Sequence, residues 1–320
     1  MRIVAAALAL LLAAPAAAAD YKAPRNAYGQ PDLGGVWNTN AVLPLEASPD
    51  APNLVATEAE AKTLARKWAL EAANFPSFVI DGEVADLAEQ TAQAGLAIVK
   101  GQRRTRQVVQ PADGRLPMTP RGRAMLRTVE NVIRTASEPP IPSDHPEQRR
   151  NWERCIVGQG QPPILILNEI NPRQILQTRD AVVLLTEYGP DLRIIPLTDT
   201  HGPKVFTGPM GDAIARWEGE TLVIETIRLP GADTVRPLPT LLVPPSAVVE
   251  ERYTRVAEDE ILYQYTVRDP ALYAGPWLAE YSLYRQARPI YEFACHEGNY
   301  SLPNILSGAR ARDRERAAAR

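Results

Sequence analysis

The chain has 320 residues, 35 Lys and Arg against 38 Asp and Glu, a formal net charge of -3 and 45% hydrophobic content. That balance points to no class of partner and gives no sign of the concentrated basic face expected of a nucleic-acid binder, and 30 prolines argue for many loops and against a helical bundle. A chain of about 300 residues is long enough to bury a substantial core without staples.

Residues 1–19 combine a lone Arg2, an apolar run from Ile3 to Leu12 and the small residues Ala17, Ala18 and Ala19 before Asp20, the pattern of a secretory signal peptide. The run is too short to span a bilayer, and no later stretch approaches the roughly 20 apolar residues a membrane helix needs. The mature chain is therefore expected to be soluble. It is expected to act outside the cytoplasm, in the periplasm if the organism has an outer membrane. Two cysteines in an exported chain, Cys155 and Cys295, are read as a disulfide, because the compartment oxidises thiols. A reactive Cys295 beside His296, or two separate buried thiols, are the alternatives.

Near the start, Pro31 to Asn38 reads PDLGGVWN. Gly35 stands two residues before Trp37, and the spacing resembles the opening motif of lipocalins, where the Trp plugs one end of a barrel and the Gly permits a close backbone approach. A buried Trp on an edge strand is the plainer reading. Residues 57–74 predict a helix: Thr57 and Glu60 form a capping box, and Ala61, Leu64, Ala65 and Trp68 recur at helical spacing. A weaker, Ala-rich helix is predicted over Val84 to Val99. Thr119-Pro120 opens a third that carries Leu126, Val129, Val132 and Ile133. Between these two, residues 111–117 are turn chemistry.

From Glu138 to Pro146 the chain is Pro-rich, and its periodicity changes from helical to strand-like. This divides it into 20–150, with the first strand and the helices, and 151–310, with a β domain, followed by a basic tail over 311–320 that reads as a solvated, frayed end. If the Trp37 strand belongs to the later sheet, the helices are an insertion. Strand-like runs then follow at close spacing: Ile164–Leu167, Gln174–Thr178, Val182–Tyr188, Leu192–Leu197, Ile214–Trp217, Thr221–Leu229, Val248–Val256, Ile261–Arg268, Leu278–Arg285 and Ile290–Cys295. Turn signals such as Gly189-Pro190-Asp191 and Glu218-Gly219-Glu220 separate them. Short strands without intervening helices predict a mainly β protein with an α-helical N-terminal part (α+β). The strands form an antiparallel meander, closed as a lipocalin-like up-and-down barrel or packed as a sandwich to hide its edges.

Hydrolase elbow, zincin, Walker and dinucleotide motifs are absent from the sequence. The three histidines, His145, His201 and His296, have no ligand spacing, so no metal and no cofactor are expected. Residues 291–310, YEFACHEGNYSLPNILSGAR, hold the most suggestive pair, His296 and Glu297, as candidate acid and base. Neighbours on an extended chain point to opposite faces, so the two form a dyad only if the strand has already ended, which Gly298 permits. A structurally satisfied His296 beside a disulfide is the alternative. Asn299 and Tyr300 are candidate ligand contacts or loop caps. Asp212 and Arg216, four apart, share a strand face next to Trp217. Asp212 is the other candidate acid or base, Arg216 and Trp217 are candidate binding residues, and solvent exposure on an outer face is the plainer reading. Eight of the 11 tyrosines fall after residue 250. Tyr263 and Tyr265, facing the same side, and Tyr281 are candidate walls of a pocket for an aromatic or terpenoid-like ligand, although tyrosine is also a favoured strand residue.

The stretches PADGRLPMTPRGR, NWERC, MGDAIARWEGETLVIET and YEFACHEGNYSLPNILSGAR resemble a family of exported bacterial proteins. That resemblance spans most of residues 30–310 and brings no activity with it. The reading that results is an exported protein that binds a small, mostly apolar or aromatic molecule in a β-barrel pocket. The alternative is a cofactor-free lyase, isomerase or hydrolase using His296 with Asp212 or Glu297. A partner-binding envelope protein is a third reading, for a molecule without a cavity.

Overall fold

The computed structural model describes residues 21–39, 41, 43–73, 95–135, 143–166, 172–189, 191–203, 208–231, 234–237 and 240–319. Residues 1–19, read as a leader, and most of the second predicted helix lie outside them. The described end of that predicted helix is instead a short strand, β2 (Ile98–Val99), paired with β3 (Gln102–Arg103).

Alternation of apolar and polar residues builds one large antiparallel sheet. Its strands are β1 (Gly35–Asn38), β4 (Val108–Gln110), β5 (Arg173–Gln177), β6 (Ala181–Thr186), β7 (Asp191–Pro196), β8 (Asp212–Glu218), β9 (Thr221–Ile227), β12 (Val248–Arg255), β13 (Glu260–Arg268) and β14 (Leu278–Gln286). A separate hairpin pairs β10 (Val235–Pro237) with β11 (Thr240–Leu242). The order is β7-β6-β5-β1-β14-β13-β12-β9-β8, with β4 on β14. Strand β1 thus sits between β5 and β14, and the helical segment runs between two neighbouring strands of the sheet.

The sheet curls. Nine strands at roughly 4.8 Å spacing would span about 38 Å if flat, yet Trp37, Ile175, Leu184, Ile195, Ala215, Ile224, Tyr253, Tyr263 and Tyr281, from every one of those nine strands, belong to one buried cluster. The edge strands β7 and β8 meet at a single parallel bridge, Leu197 to Ala215, where the Thr198 amide donates to the Ala215 carbonyl at 3.1 Å. Parity requires that direction: eight antiparallel steps leave the first and ninth strands pointing the same way. No full ladder joins the two edges.

One end of the inner face is filled by Trp37, which is fully buried and donates from Nε1 to the Leu33 carbonyl at 2.8 Å. The Arg285 guanidinium stacks on its ring at 4.4 Å. Gly35 permits that stack: its φ is +133°, and a Cβ there would stand 2.5 Å from Arg285 Nη1.

Helix α1 (Glu58–Ala73) starts with the expected capping box. The Glu60 amide donates to Thr57 Oγ1 at 3.3 Å, and the Thr57 amide donates to Glu60 Oε2 at 2.8 Å. Its Ala61, Ala65 and Trp68 form a satellite core with Ala51 and Leu96. Helix α2 (Pro120–Thr135) is capped by Thr119, whose Oγ1 accepts from the Gly122 amide at 3.1 Å.

Three sequence expectations are corrected. The run Ile164–Leu167 is not a strand as far as it is described: residues 161–166 are irregular and buried. Residues 290–295 are irregular too, and with β13 and β1 on both sides of β14 they cannot pair with the strand that precedes them. The C-terminal residues form helix α3 (Ser301–Ala318) rather than a loop and a frayed tail. Its Ala and Arg residues favour helix and Pro303 falls in the first turn, where it is tolerated. Only Leu306 of this helix is buried, so it carries no apolar period to read.

Candidate functional site

Strand register places three phenols in a row on the inner face. Tyr253 opposes Tyr263, and Tyr263 opposes Tyr281, with ring centroids 4.8 Å apart at both steps. All three are fully buried, and burial raises their pKa values, which keeps them neutral donors. Alternation along β12 puts Glu251 on the same face. Its carboxylate accepts from Arg193 Nη2 at 2.6 Å, Arg193 Nη1 at 3.1 Å, the Tyr263 hydroxyl at 2.8 Å and the Tyr253 hydroxyl at 3.4 Å. Arg193 reaches it from β7 through the interior.

A second cation shares this interior. Arg173 of β5 is 1% exposed and donates from Nη1 to the Tyr281 hydroxyl at 2.8 Å. The Tyr281 hydroxyl donates onward to the Ile164 carbonyl at 2.8 Å, and the Ile164 amide donates to the Tyr263 hydroxyl at 2.9 Å. The irregular segment over 161–166 is therefore threaded into the curled sheet and bonded by its wall. Tyr265, on the same face as Tyr263, donates to Gln107 Oε1 at 2.8 Å and packs edge-on to Trp277.

Asp191 fastens the entry of that segment. Read in the sequence as part of a turn, it is instead the first residue of β7 and buried, and it accepts from the Gly158 amide at 2.8 Å and the Gly160 amide at 2.6 Å. Burial pushes its carboxyl up to about 6, against the lowering effect of those amides and of Arg193 and Arg236. With a folded value above the unfolded one, the stabilisation it contributes is complete below the unfolded value and lost as pH rises through about 6. Between pH 7 and pH 5 the native protein should gain about 1 kcal/mol over an Asp191→Asn variant. Thermal melts of both proteins at the two pH values check this, and parallel shifts would remove Asp191 as the cause.

The chain closes tightly here: a Cβ on Gly158 would lie 2.4 Å from both Gly189 Cα and the Tyr188 carbonyl oxygen. Gly158→Ala is expected to cost about 1–3 kcal/mol in a urea titration, because backbone rather than a side chain must move.

The predicted disulfide joins Cys155 to Cys295, just before this entry. Asn299 Nδ2 donates to the Glu153 carbonyl at 2.8 Å and lies 3.4 Å from Cys155 Sγ. His296 and Glu297 are exposed in the turn after Cys295, and Tyr300 is 75% exposed. Asp212 and Arg216 lie on the outer face of β8. Arg216 pairs with Glu218 at 2.7 Å. Trp217 points inward and packs against the core. The partner of Asp212 is not His296 but Arg228 at 2.8 Å and His201 Nδ1 at 3.3 Å, while His201 Nε2 lies 3.2 Å from Glu225 Oε1. His201, 16% exposed in its side chain, thus ties the β7–β8 connection to the outer face of β8 and β9.

Sequence reasoning missed Arg173, Arg193, Glu251 and Asp191. Period two was the available signal, since it places Arg193 with Ile195, and Glu251 with Val249 and Tyr253. Among the described residues no group of three His, Cys, Asp or Glu side chains is placed to hold a metal ion, and no helix is long and apolar enough to cross a membrane. An open cleft of about 380 Å³ beside α1, lined by Pro52, Val55, Leu64 and Thr105 among others, is separate from this interior.

No protein family and no curated protein matches this chain. Among solved structures, a crystal structure of a mutant of the fluorescent protein UnaG is similar at 12% identity, over 43% of this chain and 90% of that one, with a TM-score of 0.24. A likeness at that level carries no argument about function.

Proposed function

We propose that the protein is an exported binder of a small, mostly apolar or aromatic molecule, with the curled sheet acting as a lipocalin-like barrel and the inner face of β12–β14 as its wall. The observation that carries this reading is the way the wall treats Ile164. The hydroxyls of Tyr263 and Tyr281 take up both of its backbone polar groups, although Ile164 belongs to no strand. Aromatic bodies with a few placed donors and acceptors are what small-molecule sites present.

The segment is held by side chains and apolar packing: Ile164, Leu165 and Ile166 belong to the main core, and Arg236 Nη2 donates to the Pro162 carbonyl at 3.4 Å. Among the described residues, 161–166 make no backbone–backbone hydrogen bond, so their withdrawal breaks no ladder. His296 and Glu297 are exposed and Asp212 lies on the outer face, so the acid–base groups of the alternative reading do not meet in this interior. The disulfide supports an oxidising location, outside the cytoplasm.

The neutral dye N-phenyl-1-naphthylamine tests the reading by fluorescence titration. A saturable rise at about one dye per chain, reversed by 2-methylnaphthalene, is expected. A rise that never saturates would remove a defined interior site.

A further inference from the structure

Resting on the binding reading above, we infer that the interior site recognises a ligand bearing a carboxylate-class anion. The Arg173 guanidinium holds the anion, and the apolar or aromatic body lies against Tyr253, Tyr263 and Tyr281.

The charge balance of the interior leads there. Glu251 is matched: Arg193 forks onto both of its oxygens and two phenols donate to one of them. Arg173 has no such match. Among the described residues no carboxylate lies within ion-pair distance of it, its one side-chain hydrogen bond goes to the neutral Tyr281 hydroxyl, and its Nε has no acceptor. Burying an uncompensated cation is costly, and a planar guanidinium with open donors is the group best shaped to take two oxygens of an anion side by side.

The other unpartnered groups of this core point the same way. Trp217 and Trp277 both carry indole N–H donors without acceptors, so the interior has donors to spare and needs acceptors. A cationic ligand would be repelled by Arg173, and a neutral one would leave the charge as it is. The acceptor position is already marked by the chain itself: the Ile164 carbonyl oxygen sits on the Tyr281 hydroxyl, which in turn accepts from Arg173. An anionic oxygen that displaces it accepts the phenol proton one hydrogen bond away from the Arg173 guanidinium.

The test pairs 2-naphthoate with its methyl ester and decanoate with its methyl ester, measured by calorimetry on the full disulfide-bonded protein. The acids are expected to bind roughly 10–100-fold tighter than the esters. Arg173→Met should erase that ratio, and Arg173→Lys, which keeps the charge, should retain part of it. Equal binding of acid and ester to the wild type overturns the anion site and leaves the binding reading standing, whereas binding of neither overturns both. A preference for acids that survives unchanged in Arg173→Met also overturns the assignment. The wild-type ratio needs no variant to fold, so it stands even if Arg173→Met does not.

Discussion

Glu251→Ala should lower the free energy of unfolding by about 3–5 kcal/mol, the cost of leaving one member of a buried ion pair alone. The pair is closed to solvent, with side-chain exposures of 3% for Arg193 and 0% for Glu251. Removal of the carboxylate strands Arg193, frees the Tyr253 and Tyr263 hydroxyls, and adds a second unmatched cation to the interior that holds Arg173. A urea titration with a constant m-value measures the loss. Replacing both partners with apolar residues, as in Arg193→Met with Glu251→Leu, should recover most of it, because the desolvation cost disappears along with the attraction. A double variant as unstable as the single one would show that the geometry of the phenol network, rather than charge, sets the penalty.

Reduction of the Cys155–Cys295 bridge should be at least as severe. It closes a loop with a sequence separation of 140, for which the chain-entropy relation gives about 5 kcal/mol, at the upper end of measured values. The double variant Cys155→Ser with Cys295→Ser and the reduced wild type should show the same urea midpoint. If reduction leaves the midpoint unchanged, the bridge constrains little of the unfolded chain. The bridge lies at the base of the 157–166 segment, so its loss should also raise the apparent affinity of the interior for the neutral dye by loosening the segment that occupies it. Titration of oxidised and reduced protein under the same conditions reads that effect directly.

The sequence alone determined most of the local structure. Period-two alternation located eight strands of the large sheet within a few residues and put Tyr263 and Tyr265 on one face. Capping chemistry at Thr57 and Thr119 located two helix starts, and the even number of cysteines in a chain with an export pattern identified the bridge. These are short-range signals, carried by neighbours along the chain.

Only the tertiary structure decided which strands meet and what the inner face encloses. Alternation says that Glu251 faces with Tyr253, but not that Arg193 from β7 reaches Glu251 across the interior. It says that Ile164 is apolar, but not that residues 161–166 lie inside the sheet rather than within it. It pairs Asp212 with Arg216 on one face, but cannot bring His201 to Asp212 in place of His296. Likewise, residues 290–295 have the composition of a strand but pair with none, since β13 and β1 already flank the strand before them. The physical reason is common to all four cases. Pairing, burial and charge compensation depend on contacts between residues far apart in the chain, and composition and spacing carry almost no record of which distant partner wins.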